Sequence, residues 1–198
     1  VASLLAQDGA FHDSVAPLLR RALSGRLRPE EAEAEWDAQI GRARDAGLRL
    51  THLDSHKHVH LLPPLLDVAV RLARRHGVPY LRLPLEAPRP QTLRRPGWVA
   101  LSALCLRARG RLRQAGLRHA DRFVGFSYSG GVDGQRLRAM VAAGRPGEVL
   151  EVMVHPAVVT PAVDGLRRRY GWARRYRFEE ELAALCDPAL PRRAAPLP

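Results

Sequence analysis

The chain has 198 residues, enough for one domain with a hydrophobic core. Because 46% of these residues are hydrophobic, the composition excludes wholesale disorder. The formal charge of +12 is almost entirely due to arginine, since Lys57 is the only lysine, and it is spread along the chain. The sequence has no helix-turn-helix, zinc-finger or aromatic RNA-binding signature, so this charge does not by itself indicate nucleic-acid binding.

The cysteine content and the lengths of the apolar runs indicate in which cellular compartment the protein is expected. Cys105 and Cys186 are isolated, which argues against a disulfide framework or a cysteine-based zinc site and suits a reducing environment. No apolar run approaches the roughly 20 residues that cross a bilayer, and the first residues lack the basic and apolar parts of a signal peptide. We therefore expect a soluble, cytoplasmic protein without a transmembrane segment.

Helical and strand patterns alternate along the chain. Residues 1–14 are predicted to form a loop, and residues 86–97, with three prolines, are predicted to form a long irregular loop. Helices are predicted at residues 15–24, 29–46, 63–76, 98–117 and 135–143, and a mixed segment that ends in a helix at 164–187. Strands are predicted at residues 48–53, 78–83, 122–126 and 148–154. This alternation predicts a parallel sheet with right-handed crossovers.

Four of the eight histidines fall within residues 52–60, at the end of the first predicted strand. An extended segment with period two would place the following polar groups on one side: His52, Asp54, His56, His58 and His60. A helix would instead align His52, His56 and His60. The short apolar approach from Leu48 favours the strand, so the histidines are expected where the strand ends and a loop begins.

Imidazoles and a carboxylate at a strand end suit a divalent metal with open coordination positions. The alternative is that the histidines only cap the strand and hydrogen-bond the loop. A later strand ends in His155, followed by Pro156. Because the carboxyl ends of parallel strands meet at one edge, His56 and His155 could converge on one pocket, with Asp54 orienting an imidazole and His155 donating a proton.

Residues 52–60 (HLDSHKHVH) resemble the signature of the YdjC-like family, which includes chitooligosaccharide deacetylases. The segment at 151–156 (EVMVHP) is similar to a late family strand that ends in His-Pro, and the segments at 80–84 and 125–131 lie between them as in relatives. The resemblance covers residues 1–160, and the spacing is most similar to the subgroup found with hopanoid biosynthesis.

The resemblance implies a β/α barrel of the glycoside hydrolase and deacetylase type that removes N-acetyl groups from small amino-sugar or glycoconjugate substrates. It implies a divalent metal, Mg²⁺ or alternatively Zn²⁺, with His56 as a metal ligand. His155 is the active-site histidine, and we group Asp54 with it as catalytic. Supporting or substrate-binding roles are assigned to His52, His58, His60 and Ser129.

Two family segments are not found here: an early strand with paired aspartates, and a following Gly-Leu-His segment. We therefore predict an α/β fold, a parallel β/α barrel-like domain over residues 1–187 that is incomplete at its N-terminus, and a disordered tail at 188–198. Whether Val1 is a biological start is left open.

Three hypotheses follow. The first is a metal-dependent carbohydrate deacetylase, acting on C–N amide bonds. The second is a non-catalytic relative that binds sugar or a protein partner. The third is a basic protein that binds nucleic acid or an anionic membrane, which the absence of binding motifs disfavours. A homodimer is compatible with each of them.

Overall fold

The computed structural model describes residues 1–12 and 14–191. The chain forms two compact units: Val1–Leu83 with Pro96–His119, and Pro84–Arg95 with the chain from Ala120 onward. The single domain predicted over residues 1–187 stays a prediction. Most of the tail predicted as disordered lies outside the described residues, but Leu190 packs against the core of the second unit.

The predicted helices are confirmed, with ends that differ by a few residues. The α-helices of the described chain are α1 (Val15–Leu23), α2 (Pro29–Asp45), α3 (Pro63–Arg75), α4 (Pro90–Leu93), α5 (Pro96–Gln114), α6 (Gly134–Ala142), α7 (Pro161–Arg169) and α8 (Phe178–Cys186). Proline stands at the start of α2 and α3, where its missing N–H has no helical partner to lose. The loop predicted at 86–97 contains α4 and the start of α5 instead of irregular chain throughout.

Helices α2 and α3 pack together in the first unit. Ile40 of α2 and Val68 and Leu72 of α3 form a buried cluster, against which Leu50 and Leu53 pack from the following segment. A second buried cluster joins the N-terminal segment to α2 and α3: Leu4, Leu27, Ala32, Leu62 and Leu65. The segment that carries the histidines is therefore anchored on an apolar helical layer.

The strands predicted at residues 48–53 and 78–83 are much shorter than expected. Among the described residues of this unit, parallel pairing is limited to isolated bridges between Leu53 and Leu81 and between Tyr80 and Arg118. Leu53 donates its N–H to the Tyr80 carbonyl at 2.9 Å and accepts from the Arg82 N–H at 3.0 Å. The apolar pattern at 78–83 does reflect burial, since Val78, Leu81 and Leu83 are buried, whereas Leu48 is exposed and Leu50 and Leu53 are only partly buried. A ladder also requires a continuous backbone partner, so the pattern overestimated the length of both strands.

The second unit contains a two-stranded parallel sheet. Strands β1 (Arg122–Val124) and β2 (Leu150–Val152) pair in register from Arg122 opposite Leu150 to Val124 opposite Val152. Helix α6 connects them and packs with α8 around a buried cluster: Val132, Leu137 and Ala184. A mixed α/β fold with parallel pairing is thus confirmed, and the complete barrel stays a prediction.

None of the helices in the described ranges is long and apolar enough to cross a membrane.

Candidate active site

The histidine-rich segment forms a tight turn and not an extended strand end. Residues His56–Leu61 form a 3₁₀ turn, interrupted where Lys57 and His58 adopt the left-handed conformation with φ of 51° and 57°. The predicted alternation with period two is therefore wrong. The turn buries His58 and His60, which are 8% and 2% exposed, and leaves His56 exposed.

Ser55 and His60 close this turn through hydrogen bonds. The Ser55 Oγ accepts the backbone N–H of His60 at 3.0 Å and lies 2.7 Å from its Nδ1. The His60 Nε2 lies 2.9 Å from the Arg82 carbonyl oxygen. Because a carbonyl can only accept, the neutral ring carries its proton on Nε2, and the Ser55 hydroxyl donates to Nδ1. His60 is thus a structural pin between the turn and the segment around Arg82.

Burial gives His60 an unusual titration. Desolvation lowers the pKa of its imidazole to about 4, although the hydrogen bond to the Arg82 carbonyl and the nearby Asp54 carboxylate act in the opposite direction. A ring whose two nitrogens are both engaged and which stays neutral at physiological pH is suited to holding the turn in place. Its predicted supporting role stays a prediction, with this geometry in its favour.

Asp54 connects the turn to Arg82. Its carboxylate is ion-paired with the Arg82 guanidinium, and its Oδ1 lies 3.5 Å from the Nδ1 of His58 and 3.9 Å from that of His60. Burial favours a higher pKa for Asp54, but the hydrogen bond with His58 and the positive charge of Arg82 outweigh it and hold that pKa below its ordinary value. The role of Asp54 in orienting an imidazole stays a prediction, and its contacts with His58 and His60 are in its favour.

His56 lies at the exposed edge of the turn. Partial burial, together with the charge of Lys57, lowers the pKa of its imidazole, so the ring is neutral and able to ligate a metal. It borders a cavity of about 290 Å³, which is also lined by Trp36 and Gln39 of α2. The imidazole of His56 therefore lies beside a cavity whose other lining residues are largely apolar.

The described residues do not by themselves complete a metal site. Within 1–12 and 14–191, no group of three or more His, Cys, Asp or Glu side chains is arranged to hold a metal ion. His60 has both ring nitrogens engaged, and the Nδ1 of His52 lies 3.0 Å from the Thr51 hydroxyl. The role of His56 as a metal ligand and the predicted Mg²⁺ or Zn²⁺ stay predictions.

His155 follows β2 in the second unit, as expected from the sequence. The Met153 N–H continues the ladder to the Val124 carbonyl at 2.9 Å, and the chain then leaves the sheet. The backbone N–H of His155 donates to the Glu181 carboxylate, and its ring meets the Tyr176 ring edge-on with centroids 4.9 Å apart. His155 is thus fixed by a hydrogen bond from its backbone N–H and by a ring contact with Tyr176.

Ser129 contacts the same tyrosine. Its Oγ lies 2.7 Å from the Tyr176 hydroxyl oxygen. The next residue, Gly130, has a φ of +77°, and a Cβ there would lie 2.2 Å from the Tyr176 ring, so only glycine allows this close approach. The loop that carries Ser129 and the strand end that carries His155 therefore meet at Tyr176.

Two buried glutamates of this unit escaped the sequence analysis. Glu86, 2% exposed, accepts the backbone N–H groups of Gly125 and Ser127, each at 3.0 Å, and Glu181 is fully buried. Glu86 lies in an irregular segment and gives no local signal. Glu181 occupies an otherwise apolar stripe of α8 with Phe178 and Ala184, and this pattern could have revealed it.

His56 belongs to the first unit and His155 to the second, and their predicted convergence stays a prediction.

The parallel pairing, with a histidine-bearing segment after it in each unit, defines a mixed α/β protein. The chain belongs to the YdjC-like family, whose model matches residues 1–195. The resemblance stated from residues 52–60 and 151–156 is thereby confirmed.

Curated relatives and a solved structure agree with this assignment. The chain is 31% identical over 191 residues to a carbohydrate deacetylase of Geobacillus stearothermophilus, covering 96% of this chain and 62% of that protein. It is 53% identical over 51 residues to a carbohydrate deacetylase of Brevibacillus brevis, which is 26% of this chain and 21% of that protein. An Enterococcus faecalis crystal structure, provisionally titled a cellobiose-phosphate cleavage protein, matches with a TM-score of 0.63 and 26% identity over 96% of this chain and 63% of that one. The chain thus spans less than two thirds of these proteins.

Proposed function

We propose that this protein is a hydrolase that removes N-acetyl groups from small amino-sugar or glycoconjugate substrates. The observation that carries the proposal is the family match over residues 1–195, together with relatives named carbohydrate deacetylase. The histidines that follow the paired segments support it, because amide hydrolysis requires groups that hold and transfer protons at neutral pH.

In this proposal His155 protonates the leaving nitrogen. Water adds to the acetyl carbon and releases one proton. The C–N bond breaks as the imidazolium of His155 gives its proton to the amine nitrogen, acetic acid leaves and ionises to acetate, and the proton that water released restores the imidazolium. An imidazole suits this step because its ordinary pKa lies near neutral pH. The contact with Tyr176 and the backbone hydrogen bond to Glu181 would hold the ring in place for this transfer.

His56 is proposed as one ligand of a divalent metal, Mg²⁺ or alternatively Zn²⁺, with Asp54 and His58 supporting the turn that presents it. Such an ion would supply Lewis acidity to the acetyl oxygen. Because the described residues do not assemble three ligands, no step of the reaction is assigned to the ion. The neutral state of His56 supports its role as a donor.

We also propose that the parallel pairing belongs to a β/α barrel. Every interstrand bridge between Leu53 and Val152 is parallel, and the structural neighbour matches over nearly the whole chain. Consecutive parallel pairing is the arrangement from which such barrels are built.

The test is acetate release from N,N′-diacetylchitobiose, measured with and without Mg²⁺ or Zn²⁺ and after treatment with EDTA. The proposal expects metal-dependent release that is abolished in His56→Ala and His155→Ala. Release should be retained in His119→Ala, because His119 lies outside residues 52–60 and 151–156. Wild-type protein that releases no acetate under any of these conditions would refute it.

The second function considered from the sequence is carbohydrate binding without turnover, by a relative that binds the sugar and does not cleave it. Calorimetry with the same disaccharide separates the two functions: binding without acetate release supports the second one, and binding with release excludes it.

A further inference from the structure

We infer that Glu181 is the positioning residue of His155: its buried carboxylate ties the backbone of that histidine to the loop that carries Ser129. This inference rests on the proposed role of His155 in amide hydrolysis. Glu181, a residue of α8, would then affect the reaction by positioning His155 and not by contacting the substrate.

The contacts of Glu181 divide between two segments. One carboxylate oxygen, Oε1, accepts the backbone N–H of Val132 at 2.9 Å, and the other, Oε2, accepts the backbone N–H of His155. Glu181 and Val132 are both fully buried. A carboxylate in such a place is retained only when its oxygens are satisfied, and here backbone donors satisfy one oxygen each.

These hydrogen bonds join parts of the chain that are far apart in sequence. Val132 ends the loop that contains Ser129, and His155 begins the segment after β2. Hydrogen bonds to an ionised carboxylate are shorter and stronger than neutral ones, so Glu181 fixes the separation of the two segments tightly. It lies in the first turn of α8, where the helix dipole favours a negative charge.

A second tie runs parallel to the first. The Arg177 N–H, just before α8, donates to the Gly130 carbonyl at 2.9 Å, and Tyr176 contacts both Ser129 and the His155 ring. The start of α8 and the residues before it therefore contact both the loop and the histidine. Among them, Glu181 is the residue that accepts the hydrogen bond from the His155 main chain.

The consequence for the reaction is geometric. A proton donor works only within hydrogen-bond reach of the atom that it protonates, and a displacement of about 1 Å can lower the rate by roughly 10²-fold. Loss of the Glu181 carboxylate would release the His155 backbone without removing the imidazole. We therefore expect a loss of kcat with little change in KM.

The test compares Glu181→Gln with Glu179→Gln, the same change at an exposed position of the same helix. Glutamine keeps one oxygen acceptor, but its NH₂ group opposes the second backbone N–H. We expect kcat for acetate release to fall by roughly 10²-fold in Glu181→Gln with KM unchanged, and both constants to stay at the wild-type values in Glu179→Gln.

Nuclear magnetic resonance of the His155 backbone amide provides a readout that needs no turnover. In Glu181→Gln the amide proton should move upfield and exchange faster with solvent, whereas in Glu179→Gln it should not change. A shifted amide with unchanged kcat would refute the positioning role and leave a structural one, and an unchanged amide would refute the contact itself. If wild-type protein releases no acetate, the proposed function fails, and the amide still decides whether Glu181 holds His155.

Discussion

Replacement of His60 by glutamine should flatten the dependence of stability on pH. The side-chain amide of glutamine can donate to the Arg82 carbonyl and accept from the Ser55 hydroxyl, as the imidazole does. The substitution therefore keeps both hydrogen bonds of residue 60 and removes the titratable imidazole. Wild-type protein and His60→Gln should be compared as folded proteins over the same pH range.

The magnitude follows from the shifted pKa of His60. In the folded chain this pKa is about 4, against an ordinary value of 6.5. As the pH falls through 6.5, the unfolded chain takes up a proton that the folded chain does not, so the free energy of unfolding decreases until the pH reaches about 4. At about 1.4 kcal/mol per pKa unit, this loss amounts to about 3 kcal/mol in total.

Urea unfolding measured between pH 7.5 and 4.5 provides the assay. We expect a steep decrease of the free energy of unfolding for the wild type and a much shallower one for His60→Gln. The slope that remains belongs in part to His56, whose pKa is lowered by burial and by Lys57. As a control, His52→Gln alters an exposed imidazole and should keep the steep slope, because His60 is still present.

Equal slopes for the wild type and His60→Gln would refute the reasoning, because they would mean that the ring titrates alike in the folded and unfolded chains. The hydrogen bonds to Ser55 and Arg82 would then not hold a neutral imidazole. A slope of opposite sign, with stability rising as the pH falls, would also contradict a lowered pKa.

Two further predictions concern the second unit and the cysteines. Gly130→Ala should destabilise the fold by about 1–3 kcal/mol in thermal or urea unfolding, because a Cβ there meets the Tyr176 ring. The control, Gly131→Ala, should cost less than about 1 kcal/mol. Equal costs for the two variants would contradict the close approach of Gly130 to Tyr176. Burial raises the pKa of the Cys105 thiol to about 12, so a disulfide thiol reagent should titrate only Cys186 in native protein and both after denaturation; two reactive thiols in native protein would contradict this burial.

The sequence alone determined the longer helices and the segments where chemistry could lie. Pro29 and Pro63 mark the helix starts, and residues 52–60 and 151–156 sufficed to recognise the family. These features are local, because a helix bonds each residue to a neighbour four positions away and a motif is read directly from the chain. Local signals therefore survived folding largely unchanged.

The tertiary structure decided what each histidine does. The buried His60 ring donates a hydrogen bond to the Arg82 carbonyl, 22 residues away in sequence, from a turn in which Lys57 and His58 adopt the left-handed conformation. Likewise, the hold on His155 comes from Glu181, 26 residues further along the chain. No periodicity encodes such partners, since a buried hydrogen bond depends on which segments meet in space and on which polar groups would otherwise be unsatisfied.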